Sequence, residues 1–176
     1  MTAASIRLAN PGDLAPALPE LTEILHQSVH AGASVGFILP FSHSDAEAFW
    51  LDQVFPAVAT AQTVLFLAQQ DQEIIGTVQL SFARPANQPH RADVAKLLVH
   101  PKARRQGIAR QLMRALETEA RQNGKTLLVL DTRSGDSAQP LYASLGFAVA
   151  GEIPGYCRNP FTDTYEGTTY MYKALR

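Results

Sequence analysis

The stretch His100–Ala115, HPKARRQGIARQLMRA, puts a proline, two adjacent arginines and a single glycine immediately ahead of residues with helical spacing. A helix start leaves backbone N–H groups without partners and carries the positive end of the helix dipole, so it suits a phosphate. Arg104, Arg105 and Arg110 add charge there, and Gly107 lets backbone approach an anion without a Cβ in the way. These residues predict a polyphosphate cradle at about 104–110. Two common forms are excluded, because the chain contains neither G-x-x-x-x-G-K-[ST] nor G-x-G-x-x-G. Other chemically able residues are weaker. His26 and His30 stand four apart, a spacing that suits a metal ion, but the sequence places no third ligand. Packing or surface histidines are therefore expected, and no metal. Cys157 has no identifiable neighbouring base that would make it a nucleophile.

The elements that must position this cradle follow from periodicity. SIRLA reads as a short strand closed by the turn NPGD, and ALPELTEILHQSVHAG as a helix with Leu18, Leu21, Ile24, Leu25 and Val29 on one face. Ser44 and Glu47 have capping-box spacing, which predicts a second helix from about 45. TVLFLAQQ and EIIGTVQLSF read as strands joined at Asp71–Gln72, and ADVAKLLVH as a strand stopped by Pro101. GIARQLMRALETEARQ is amphipathic and ends near Asn123–Gly124, and TLLVLDT is a short buried strand. SAQPLYASLGF is a short helix with Pro140 in its first turn and Gly146 at its end. AVAGEIPGY and GTTYMYKAL complete the chain as strands around the loop RNPFTDTYE. The order is β α α β β β α β α β β, an α+β mixed sheet of about seven strands and four helices. Its middle, residues 92–132, has the form of a right-handed βαβ crossover.

The chain has 176 residues, 46% hydrophobic and 18% charged, which predicts one domain over 1–176. Fifteen Lys+Arg against sixteen Asp+Glu give a formal charge of −1, so no whole-chain field points to nucleic acid or an anionic membrane. One cysteine excludes an internal disulfide framework, and no run of ~18 apolar residues or signal-type leader is present. A soluble cytoplasmic protein, either monomer or homodimer, is the expectation.

RRQGIA, with Arg104, Gly107 and Ala109, resembles the [QR]-x-x-G-x-[GA] pyrophosphate motif of the GNAT superfamily of acyl-CoA-dependent N-acyltransferases. LYASLGF (141–147) is similar to that family's later L-Y-x-x-x-G-F signature, and the element order fits over nearly the whole chain. Four segments, VHAGASVGF (29–37), KLLVHPKARRQGIARQLM (96–113), LDT (130–132) and GEIPGYC (151–157), resemble the tabtoxin-resistance-type acetyltransferases. The resemblance implies the GNAT fold and acetyl-CoA bound where two parallel strands, 92–99 and 126–132, splay apart. It implies that backbone of Leu98 and Val99 pairs with the pantetheine arm. Arg104, Arg105, Gln106, Gly107, Ile108, Ala109 and Arg110 would then hold the pyrophosphate by main-chain N–H groups.

The implied reaction is attack of a neutral amine on a thioester, and an alkyl amine of pKa ~10.4 needs a base at neutral pH. Tyr142 matches the tyrosine that faces the CoA sulfur and would protonate the leaving thiolate. Asp93 begins one splayed strand and Asp131 ends the other, so both are base candidates, and the Val99 N–H is the oxyanion candidate. Many members carry asparagine seven residues before the tyrosine; here Gly135 stands there, with Thr132 and Ser137 as stand-ins. Ser34, Val35, Gly36 and Phe37 occupy the acceptor-facing loop. The expected acceptor is a small-molecule amine, with segments 33–50 and 154–167 narrowing its side. Acetylation of a protein N-terminus or lysine is the alternative, and a non-catalytic CoA-binding protein a further one.

Overall fold

A computed structural model describes residues 3–175, so the outermost residues of the domain expected over 1–176 lie outside the described residues. Seven strands form one sheet in the order β1-β2-β3-β4-β5-β7-β6. They are β1 (Ser5–Leu8), β2 (Thr63–Gln70), β3 (Glu73–Phe82), β4 (Arg91–Val99), β5 (Leu127–Arg133), β6 (Ala148–Arg158) and β7 (Tyr165–Ala174). β4 and β5 are parallel and the other neighbours antiparallel. The helices are α1 (Pro11–His30), α2 (His43–Phe49), α3 (Phe55–Ala59), α4 (Ile108–Gln122) and α5 (Ala138–Ser144). A π turn over Trp50–Val54 joins α2 to α3 as one helical segment. Among the described residues, four α-helical segments therefore flank the sheet, as the spacing predicts, with one short helical turn at Pro101–Ala103 besides.

Alternation along β2 divides the core between the two faces of the sheet. Leu65 and Leu67 pack under α1 with Leu21, Leu25 and Trp50, whereas Phe66 and Ala68 pack under α4 with Leu112 and Leu116. The buried Trp50 indole donates its Nε1–H to the Leu21 carbonyl at 3.0 Å, which ties the π turn after α2 to α1. No helix among the described residues is long and apolar enough to cross a membrane.

Two boundaries differ from expectation. NPGD is the start of α1 rather than a turn: Asn10 is the N-cap, and its N–H donates to Asp13 Oδ2 at 2.7 Å. Pro16 and Pro19 remove donors from the early turns, so apolar spacing alone places the start too late. The second capping box is Ser42–Asp45, not Ser44–Glu47. Ser42 Oγ accepts from the Asp45 N–H at 3.1 Å, and the Ser42 N–H donates to Asp45 Oδ2 at 2.8 Å.

Candidate active site

β4 and β5 are neighbours for three residue pairs. Arg91 faces Leu127, Ala92 faces Leu128 and Asp93 faces Val129; pairing then stops, although β4 runs to Val99 and β5 to Arg133. The cause lies on the other edge of β4. Between the pairs Gln79–Ala95 and Thr77–Leu98, β3 has one residue, Val78, while β4 has two, Lys96 and Leu97. Lys96 adopts φ +50 to fit this bulge. Alternation is thereby reset: Val94 packs with the α4 face and Leu98 with the α1 face, although four residues apart would share a face in a regular strand. The β5-facing backbone of residues 94–99 is left without a strand partner.

The strands part around a cleft of about 580 Å³, within the range of small-molecule sites. Leu98, Val99 and Arg104 line it from β4 and the loop that follows, and Asp131, Thr132, Ser137 and Tyr142 from β5 and α5. Ser34, Val35 and Gly36 close its far end. Phe37 lies behind that end, its ring 4.7 Å from Phe41 and 5.3 Å from Phe49. Asp93 sits where the strands are still paired, and its Oδ1 accepts from Arg91 Nη1 at 2.6 Å. Burial raises the Asp93 carboxyl above its ordinary pKa, against the pull of Arg91.

Beyond the open edge of β4, the loop before α4 contains two left-handed residues, Arg105 (φ +64) and Gly107 (φ +78). Gly107 is the N-cap. Its φ is what demands glycine, because no protein atom lies within 4 Å of where a Cβ would stand. The first helical bond runs from the Gln111 N–H to the Gly107 carbonyl at 3.1 Å, leaving the N–H groups of Ile108, Ala109 and Arg110 ahead of the ladder. Two of the three arginine side chains are engaged by the protein itself. Arg104 Nε donates to the Val99 carbonyl at 3.3 Å, and Arg110 Nη2 donates to Ser144 Oγ at 2.8 Å, bracing the cradle against β4 and α5. Backbone N–H groups in such a turn form an anion-binding concavity, which fits a pyrophosphate at the mouth of the cleft.

Tyr142 projects from α5, which Gly146 (φ +88) ends, and packs against Phe147 with ring centroids 5.9 Å apart. The residue is 8% exposed, and among the described residues its hydroxyl makes no hydrogen bond. Burial first, then the Asp136 and Asp131 carboxylates, push its pKa up to about 12, so the phenol keeps its proton through the neutral range. Asp131 Oδ2 accepts from Thr168 Oγ1 at 3.1 Å. At Gly135, where the family pattern has asparagine, the N–H donates to Gln139 Oε1 at 2.7 Å; Thr132 and Ser137 flank it on the cleft, together with Arg133 and Asp136.

Sequence reasoning missed Lys96 and Arg133, both on the cleft wall. Arg133 ties three elements together, donating to the Gly32 carbonyl at 3.2 Å, Glu166 Oε2 at 3.3 Å and Asp136 Oδ2 at 3.2 Å. Lys96 was detectable: Val94, Leu97, Leu98 and Val99 break strict alternation, and a lysine stands at the break. Away from the cleft, folding brings Glu23 and His43 beside His26, a grouping that sequence spacing did not reveal. The His26 and His43 rings stack with centroids 3.7 Å apart and planes 19° from parallel. Rings stacked in this way cannot both aim an in-plane lone pair at one ion, so the group is an imidazole stack rather than a coordination set.

The geometry agrees with what the chain is similar to. The model of the acetyltransferase (GNAT) family matches residues 27–147. An uncharacterized N-acetyltransferase encoded in the hisH-hisA intergenic region of Azospirillum brasilense is 32% identical over 146 residues, covering 78% of this chain and 82% of that protein. Among solved structures, an N-acetyltransferase from Staphylococcus aureus Mu50 superposes with a TM-score of 0.82 at 20% identity, covering 99% of this chain and 100% of that one. YncA from Salmonella typhimurium, a putative acetyltransferase with its cofactor acetyl-CoA, gives 0.79 at 22% identity, covering 99% and 95%. These two likenesses speak to fold, and the family match and the Azospirillum relative to kinship. A sheet parted at its parallel pair, a helix start with free N–H groups and a matching family model place this chain in the GNAT family, as an acetyl-CoA-dependent N-acetyltransferase.

Proposed function

We propose that the chain transfers the acetyl group to the primary amine of a small molecule by direct attack in the β4/β5 cleft. The observation that carries the small-molecule reading is the closure of the acceptor end by two loops. The Leu39 N–H donates to the Pro160 carbonyl at 3.1 Å, and Ser34 Oγ lies 3.4 Å from Cys157 Sγ. A Cβ on Gly32 would come within 2.7 Å of the Phe161 ring, so the β6–β7 loop rests directly on the end of α1. An extended peptide would need an open groove where these segments meet.

In this reading the N–H groups of residues 105–110 hold the pyrophosphate, and the free edge of β4 at Leu98 and Val99 pairs with the pantetheine arm. Bound acetyl-CoA supplies a thioester carbonyl as electrophile and a thiolate as leaving group. Asp131, on the cleft wall, takes a proton from the acceptor ammonium; Asp93, the other base candidate, lies behind the lining where β4 and β5 are still paired and is held by Arg91. The Val99 N–H stabilises the developing oxyanion. As the N–C bond forms and the C–S bond breaks, Tyr142 gives its proton to the departing sulfur, and the second proton, shed by the attacking nitrogen as it becomes an amide, restores the phenol; the proton on Asp131 passes to solvent. The resemblance of four segments to the tabtoxin-resistance-type enzymes names no acceptor for this chain, since a substrate belongs to a site and is not transferred with a fold.

The test is release of CoA thiol from acetyl-CoA by the purified protein, with a panel of small primary amines against peptides bearing free N-termini and lysines. Small amines are expected to raise thiol release at least tenfold over hydrolysis. Preference for the peptides would transfer the function to a protein acceptor, and binding of acetyl-CoA without release by any amine would make the chain a CoA-binding protein.

A further inference from the structure

The acceptor end of the cleft contains a cation that no carboxylate meets in an ion pair among the described residues. The bulge turns Lys96 under the acceptor loop, where its Nζ donates to the Val35 carbonyl at 2.8 Å and lies 5.7 Å and 5.4 Å from the centroids of the Phe37 and Phe49 rings. One carbonyl and two ring faces engage the ammonium, and no ion pair among the described residues includes it. Burial lowers the Lys96 pKa, and the Asp131 carboxylate partly opposes that shift from the facing strand. The other cations on the cleft are differently placed. Arg133 is matched by Glu166 and Asp136, and Arg104 is exposed at the phosphate end.

A half-buried ammonium without an ion pair is costly, and a lysine kept merely to pin Val35 would carry that cost for a single neutral hydrogen bond. Lys96 retains donor capacity that the Val35 carbonyl does not use. Lys96 and Asp131 stand on the two strands that part, so the chamber offers a cation on one wall and an anion on the other.

We propose that Lys96 is an anion subsite of the acceptor chamber, so that the acceptor is an amine that also carries an acidic group. The acid would meet Lys96 while the amine meets Asp131. This rests on the small-amine reading above and narrows it to doubly charged acceptors.

The experiment compares matched pairs in the thiol-release assay: α- and ω-amino acids against their carboxamides, which keep the amine and lose the negative charge. Aminoalkylphosphonates form a third arm that distinguishes a carboxylate subsite from a general anion subsite. Loss of a charged hydrogen-bonding partner predicts a drop in kcat/KM of about tenfold to a hundredfold from acid to amide. In Lys96→Met the acid-to-amide ratio should collapse to within about threefold, while Lys96→Arg, which keeps the charge, retains part of it; melting curves check that both fold. If the methionine variant does not fold, the wild-type ratio still decides. Carboxamides used as well as acids would overturn the subsite and leave the amine reading standing. Equal losses for both members of a pair in Lys96→Met would also overturn it, reducing Lys96 to a pin for Val35. Absence of turnover with every amine would remove the amine reading, and the subsite with it.

Discussion

At the scale of single residues, the proposed chemistry rests on a phenol that keeps its proton, Tyr142, and on the Asp131 carboxylate of the cleft wall. Tyr142 is buried, without a hydrogen-bond partner among the described residues, and held at about pKa 12, so its loss should be felt in the chemical step. Tyr142→Phe is expected to lower kcat by ~10²-fold while leaving acetyl-CoA affinity nearly unchanged, as measured by turnover and by titration calorimetry. A variant that loses its cooperative melt instead would make Tyr142 a packing residue. Because its pKa lies far above neutrality, kcat should show no alkaline fall from this group below about pH 11. Tyr142, Asp131 and Gly107 were legible because local signatures carry them, LYASLGF, LDT and RRQGIA. The broken alternation of residues 94–99 marks the bulge at Lys96, but only the pairing with β3 and the packing of the loop at Val35 show that its side chain meets the acceptor end.

At the scale of elements, the start of α4 and the packing of α1 on α2 each make a prediction. Gly107 is left-handed, which costs other residues about 1–2 kcal/mol, and an added carboxylate there would repel phosphate. Gly107→Glu should therefore weaken acetyl-CoA binding by tenfold or more; affinity within twofold of wild type would remove the cradle from 104–110. On α1, burial and then the neighbouring His30 and His43 lower the His26 pKa below its ordinary 6.5. The folded state thus binds fewer protons here than the unfolded chain, so stability from this group is present above pH 6.5 and is lost as pH falls below it. The melting temperature should drop between pH 7 and 5, and His26→Gln should flatten that drop; an unchanged slope would contradict it. Element order was readable throughout, because most segments keep a clear period of two or 3.6. The start of α1 and the Ser42–Asp45 cap were not, because prolines and closely spaced serines offer competing local signals.

At the scale of the whole molecule, the sheet is two parts joined at β4 and β5 by three parallel residue pairs, with the candidate site in the gap between them. The mixed sheet and its crossover follow from strand–helix–strand order. The closed acceptor end does not, since it depends on contacts such as Leu39 with Pro160 and Gly32 with Phe161, made by loops far apart in sequence. The exposed edge strand β6 is likewise a product of sheet order, which strand patterns alone do not specify. A crystal structure of the protein grown with acetyl-CoA tests the central claim most directly. The pyrophosphate should lie on the N–H groups of residues 105–110, the pantetheine arm along the free edge of β4 at Leu98–Val99, and the sulfur within reach of the Tyr142 hydroxyl. Acetyl-CoA seated outside the β4/β5 gap, or with its sulfur turned away from Tyr142, would contradict it.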